Sequence, residues 1–108
     1  MSVRTDFVYD VLRKPFDPVV VREGTTQDVV LDAPAIGPEI HGREAVANAL
    51  EAFFITARPT YRLEADLVEQ GNFVVAFAEA SIGAETRHLC LVYRFEGDMA
   101  SGLWVMRS

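Results

Sequence analysis

Apolar and polar positions along this chain repeat with two different periods. Between Arg43 and Ala57 the apolar residues Val46, Ala49, Leu50, Phe53, Phe54 and Ala57 recur at steps of three and four, the continuous stripe of an amphipathic helix. Arg43, Glu44, Asn48 and Glu51 occupy the other faces, and Pro59 prevents extension. After Pro59 the period shortens to two. Tyr61, Leu63, Ala65 and Leu67 alternate with Arg62, Glu64 and Asp66, which predicts a strand with one wet face. Turns at Gln70-Gly71-Asn72, Gly83-Ala84 and Glu96-Gly97-Asp98 then separate three more predicted strands, 73–82, 88–95 and 100–107.

The first part of the chain is punctuated differently. Ser2 can cap a helix to about Lys14, with Phe7, Val8, Val11 and Leu12 on one side and Pro15 as its stop. Asp17-Pro18 restarts a short helix through Glu23, closed by Gly24. The β-branched run 28–33 predicts a first strand, and Pro34, Gly37 and Pro38 a loop up to His41. Helices first and a meander of strands afterwards give the order ααβαββββ, an α+β fold.

Strands 73–82 and 88–95 are apolar on both faces. Phe73, Val75 and Phe77 oppose Val74, Ala76, Ala78 and Ala80, while Leu89, Leu91, Tyr93 and Phe95 oppose Cys90 and Val92. The long helix covers one face. No spare element remains for the other, so the pattern predicts a homodimer through the outer sheet face. Burying about 600 Å² of apolar surface per partner would contribute ~15 kcal/mol before association entropy is subtracted.

The chain's 108 residues fit one domain spanning 1–108. Ten Lys+Arg against sixteen Asp+Glu give a net charge of −6, which disfavours nucleic acid as a partner. No run is long enough to span a membrane, and no secretory signal is recognisable at the N-terminus. The lone thiol Cys90 suits a reducing, cytoplasmic compartment and reads as an inert packed side chain. His41 and His88 have no second ligand at metal spacing and read as loop and surface residues, so neither a metal nor another cofactor is expected.

Three stretches carry a family resemblance: 29–34 (VVLDAP), 40–46 (IHGREAV), and the paired strand endings 92–96 (VYRFE) and 104–107 (WVMR). With the element order, they resemble the nuclear transport factor 2-like superfamily, which includes ketosteroid isomerases and SnoaL-like polyketide cyclases. The resemblance implies a cystatin-like cone, a curved antiparallel sheet wrapped around the long helix, with a mostly apolar pocket at its open end. It implies Asp32 as a carboxylate base and Tyr9 as donor to a developing enolate oxygen. Leu91 takes the place of the protonated aspartic acid that isomerases carry on a late strand. For cyclase-type chemistry Glu79 and Asp66 are the available strand carboxylates.

Each candidate also has a plainer reading. Asp32 is either a desolvated base on the cone wall or a strand-end acid satisfying loop N–H groups around Gly37. Tyr9 is either a pocket donor or a ring packed with its hydroxyl at the rim. Phe53, Phe54, Leu91, Tyr93 and Trp104 are expected to line the pocket, with Tyr61 beside them. Two functions follow. One is proton transfer, of isomerase or cyclase type, on a small carbonyl compound. The other is a non-catalytic domain that binds a small apolar molecule or assembles as a dimer.

Overall fold

The computed structural model describes residues 2–107. Helix α1 (Val3–Leu12) begins with a capping box in which the Ser2 hydroxyl accepts the Thr5 N–H and the Thr5 side chain accepts the Ser2 N–H. It stops before Lys14 because Arg13 is already extended, on the approach to Pro15. Asp17 caps α2 (Pro18–Gly24) by accepting the Val19 N–H at 3.0 Å. Strand β1 (Thr25–Asp32) follows with no loop, starting earlier than the β-branched run suggests. The junction is closed by polar groups: the Thr25 hydroxyl donates to Val21 O at 2.6 Å, and the Arg43 guanidinium donates to Thr25 O, also at 2.6 Å.

Strand β2 (Ile40–His41) leads into α3 (Arg43–Ala57), the helix marked by the apolar stripe. Its C-terminus turns through Arg58 in the left-handed region, whose N–H reaches Phe54 O, and Pro59 follows. Val46 and Leu50 of the stripe are buried. Ala47, outside the stripe, is fully buried as well, on the side where Arg22 of α2 reaches Glu44 and Asn48.

The remaining strands are β3 (Thr60–Leu63), β4 (Val68–Gln70), β5 (Phe73–Ile82), β6 (Glu85–Glu96) and β7 (Met99–Arg107). They form one curved sheet in the order β2-β1-β7-β6-β5-β3, with β4 also on β5. The fold is α+β, but the sheet departs from the expectation in two ways. It is mixed, because β1 and β7 run parallel. The strand predicted over 61–67 is also broken. Leu63 pairs with Ala78 and Val68 with Val75, so five steps on this side match three on β5, and two extra residues bulge out.

Register sorts the sheet into two faces. Ala76, Leu91 and Val105 form one inner row, and Val74, Tyr93, Leu103 and Leu31 the next. On the outer face lie Val75, Val92, Trp104 and Asp32, then Phe77, Cys90 and Met106. Phe7 of α1 packs edge-on against Tyr93 and Phe95, with centroids 6.2 and 6.0 Å away, and closes the inner layer at one end.

Candidate ligand cavity

Between α1, α3 and the inner sheet face lies a cavity of about 570 Å³. Its floor is the inward-facing series Leu89, Leu91 and Tyr93 of β6, flanked by Leu103 and Val105 of β7. Leu50, Phe53 and Phe54 of α3 roof it, and Phe16 stacks on Phe54 at 4.4 Å to hold that ring. Val11 and Leu12 of α1 and the segment 33–36 after β1 close the sides. The open end carries Glu85, Arg87 and Arg107.

Among the described lining residues, Tyr61 and Tyr93 bring hydroxyls to the otherwise apolar inner part of the cavity. Tyr93 is 1% exposed, and among the described residues no group hydrogen-bonds its buried Oη. Such a group is costly unless something in the cavity accepts its proton. Burial pushes the Tyr61 phenol up to about 12. Burial pushes Tyr93 higher still, and the neighbouring Tyr61 adds to the effect. Both phenols therefore stay protonated at neutral pH and present O–H donors. The carboxylate bordering the cavity is Glu85, at the mouth, where it pairs with Arg87 at 3.1 Å.

Phe53, Phe54, Leu91 and Tyr93 stand on the cavity wall. Three other expected site residues do not. Asp32 pairs in register with Trp104, while its neighbours Leu31 and Ala33 are the ones that face the cavity. Alternation along β1 therefore puts the Asp32 carboxylate on the opposite face. Trp104 is displaced for the same reason, since Leu103 and Val105 take the inward positions of β7. Its ring lies back over Gly102, where a Cβ would collide with it, and Arg94 sits 5.1 Å above the ring. Tyr9 is 38% exposed, because α1 turns Phe7, Val8 and Val11 inward instead. Neither Asp32 nor Tyr9 is among the residues that line this cavity.

Glu79 is also outside the cavity. It receives Arg62 at 2.9 Å, and with Glu64 and His88 it forms a group whose ligand-type atoms lie within 4.8 Å of one another. His88 is held by Glu64 at 2.8 Å and Glu79 by a guanidinium, so the group satisfies itself and brings a positive charge where a cation would sit. The other histidine, His41, bonds Glu39 at 2.7 Å on the surface. Asp66 is exposed in the bulge before β4. Sequence reading missed Arg87, Arg107 and the 33–36 segment as cavity residues. The inward series 87, 89, 91, 93 was available from strand alternation; the unpartnered Tyr93 hydroxyl was not.

No family model and no curated protein matches the chain. Solved structures do. A nuclear transport factor 2-like protein of unknown function from Burkholderia pseudomallei is 21% identical, with a TM-score of 0.82 over 100% of this chain and 92% of its own. A candidate polyketide cyclase from Sinorhizobium meliloti gives a TM-score of 0.83 at 14% identity, covering 98% and 95% of the two chains. A hypothetical protein of ketosteroid isomerase-like fold from Catenulispora acidiphila, in complex with trimethylamine, gives 0.76 at 14% identity, over 99% and 85%. The chain shares its fold with these nuclear transport factor 2-like, polyketide cyclase-like and ketosteroid isomerase-like structures. Among the described residues, no helix is long and apolar enough to cross a membrane.

Proposed function

We propose that the chain binds a small, largely apolar molecule that carries a hydrogen-bond-accepting oxygen. The observation behind this reading is Tyr93 Oη, buried without a partner on the wall of an otherwise greasy cavity. A ligand oxygen that accepts this proton would offset a desolvation penalty of about 1–3 kcal/mol, and the aliphatic and aromatic walls would bury the rest of the molecule. The trimethylamine complex of a protein with the same fold supports small-molecule binding as a use of this architecture. Proton transfer by isomerase- or cyclase-type chemistry is less well supported, because Asp32, Glu79 and Asp66 lie outside the cavity and the base would have to come from elsewhere.

The same reading includes a second copy of the chain. Phe73 and Phe77, 43% and 39% exposed, and Met106, 47% exposed, share the outer face with Val75, Val92 and Trp104. A patch of that kind favours self-association over exposure to water. Cys90, a free thiol on this face, fits a cytoplasmic setting.

The cavity is tested by titration with prodan, an apolar fluorescent ketone, against the wild type and Leu89→Trp. Saturable binding with a blue shift, lost when the indole fills the space beside the mouth, is the expected result. Absence of saturable binding, or equal binding by the variant, would overturn the reading.

A further inference from the structure

The mouth of the cavity differs in charge from the rest of the molecule. Arg87 continues the inward series of β6 beyond Leu89 and Leu91, and Arg107 pairs with Leu89 across β7, so both arginines belong to the cavity side of the sheet. With Glu85 they are the formally charged residues of the lining, a local balance of one net positive charge in a chain whose net charge is −6. Glu85 is engaged by Arg87 at 3.1 Å, and among the described residues no ion pair engages Arg107. A shallow concavity that shares Glu85, Arg87 and Arg107 extends outward past Thr86 and His88, and His88 is held by Glu64.

We propose that the ligand is an organic acid, its apolar body over Leu89 and Leu91, its carboxylate at the mouth between Arg87 and Arg107, and its hydrogen-bond-accepting oxygen, a separate group at the inner end, at Tyr93. This rests on the cavity reading above and adds the sign and place of the ligand's charge. A planar guanidinium presents paired N–H donors that match a carboxylate. The acidic background of the chain acts weakly on this point, because charges more than about 8 Å away are screened at physiological salt. Between the mouth and Tyr93 the floor spans six residues of β6, roughly 20 Å of strand, enough for an extended chain lying along it. The charged end stays in water while the hydrophobic part enters, so no bare charge is buried. Entry in the opposite sense would bury a carboxylate beside Leu91 and Phe54, where the neutral Tyr93 and Tyr61 hydroxyls are the available donors and among the described lining residues no cation offsets the cost of desolvating the charge.

The test compares three ten-carbon probes, decanoate, decanol and decylammonium, by displacement of prodan from the intact protein at physiological salt. Decanoate should bind about twofold to fivefold more tightly than decylammonium, the range expected of exposed charge pairs. Added salt should narrow the gap. The double variant Arg87→Gln, Arg107→Gln should abolish it while still binding prodan. Equal affinities for the three probes, a preference for the ammonium, or a decanoate preference that survives in the double variant would overturn the charge assignment and leave the cavity reading standing. If prodan and all three probes fail to bind, the cavity reading itself is wrong and the charge assignment falls with it.

Discussion

Asp32 and Trp104 stand side by side across the parallel β1–β7 pair, on the sheet face turned away from the cavity. Leu31, one residue earlier, takes the inward position beside Leu103. Asp32→Asn should therefore leave prodan affinity within twofold of wild type in a fluorescence titration. A tenfold loss would show that the carboxylate acts on the cavity.

Tyr93→Phe should have effects of opposite sign on stability and on binding. Deleting a buried hydroxyl without a partner removes an unmet desolvation cost, so the empty protein should gain about 1 kcal/mol, or roughly 4 °C in Tm. Prodan should bind the variant threefold to tenfold more weakly, the worth of one net hydrogen bond. Calorimetry and titration on the same preparation check both. A fall in Tm would mean that Oη already has a partner in the unliganded protein.

Tyr61 makes the fold sensitive to alkali. Its phenol is raised from 10.0 to about 12, so the folded chain holds this proton more tightly than the unfolded chain does. The associated stability is complete below pH 10 and is lost as pH climbs from 10 towards 12. The loss should be on the order of 2 kcal/mol, and urea midpoints measured across that window should fall less steeply in Tyr61→Phe.

The long helix was legible in the sequence because one period, sustained from Val46 to Ala57, has a single structural solution. Ala47 was not legible, since its burial depends on α2 arriving at a second face of α3. The bulge after Leu63 was hidden for a related reason. Alternation at Ala65 and Leu67 continues the pattern of Tyr61 and Leu63, yet pairing to β5 admits two unmatched residues there. Asp32 and Trp104 show how sharp the two-residue period is. A resemblance in sequence places them near the cone, and one step along a strand decides which side of the sheet they occupy. The polar character of the cavity was still less accessible, because Tyr93 and Tyr61 sit on different strands and only folding brings their hydroxyls to one wall.

Phe77→Glu should separate two copies of the chain. Phe77 lies in the row with Cys90 and Met106 at the middle of the exposed outer face, where a carboxylate would be buried in a self-associated pair and harmless in a single chain. Sedimentation at micromolar concentration should show a dimer for wild type and a monomer for the variant, with dissociation at least about 30-fold easier. A wild type that sediments only as a monomer would remove the second copy from the picture.

Gly24→Ala should destabilise the fold although the substitution adds a single methyl group in a region of ordinary backbone conformation. The Phe7 ring occupies the space where that methyl would lie. Phe7 has little freedom to retreat, since it is wedged edge-on against both Tyr93 and Phe95. Overpacking of this kind costs about 1–3 kcal/mol, which should lower Tm by several degrees. Phe7→Leu should also destabilise, by thinning the same contact. The two changes share one space, so the double variant should be more stable than the sum of the single losses predicts. Thermal melts of the four proteins check this, and simple additivity would mean that the ring moves aside without cost.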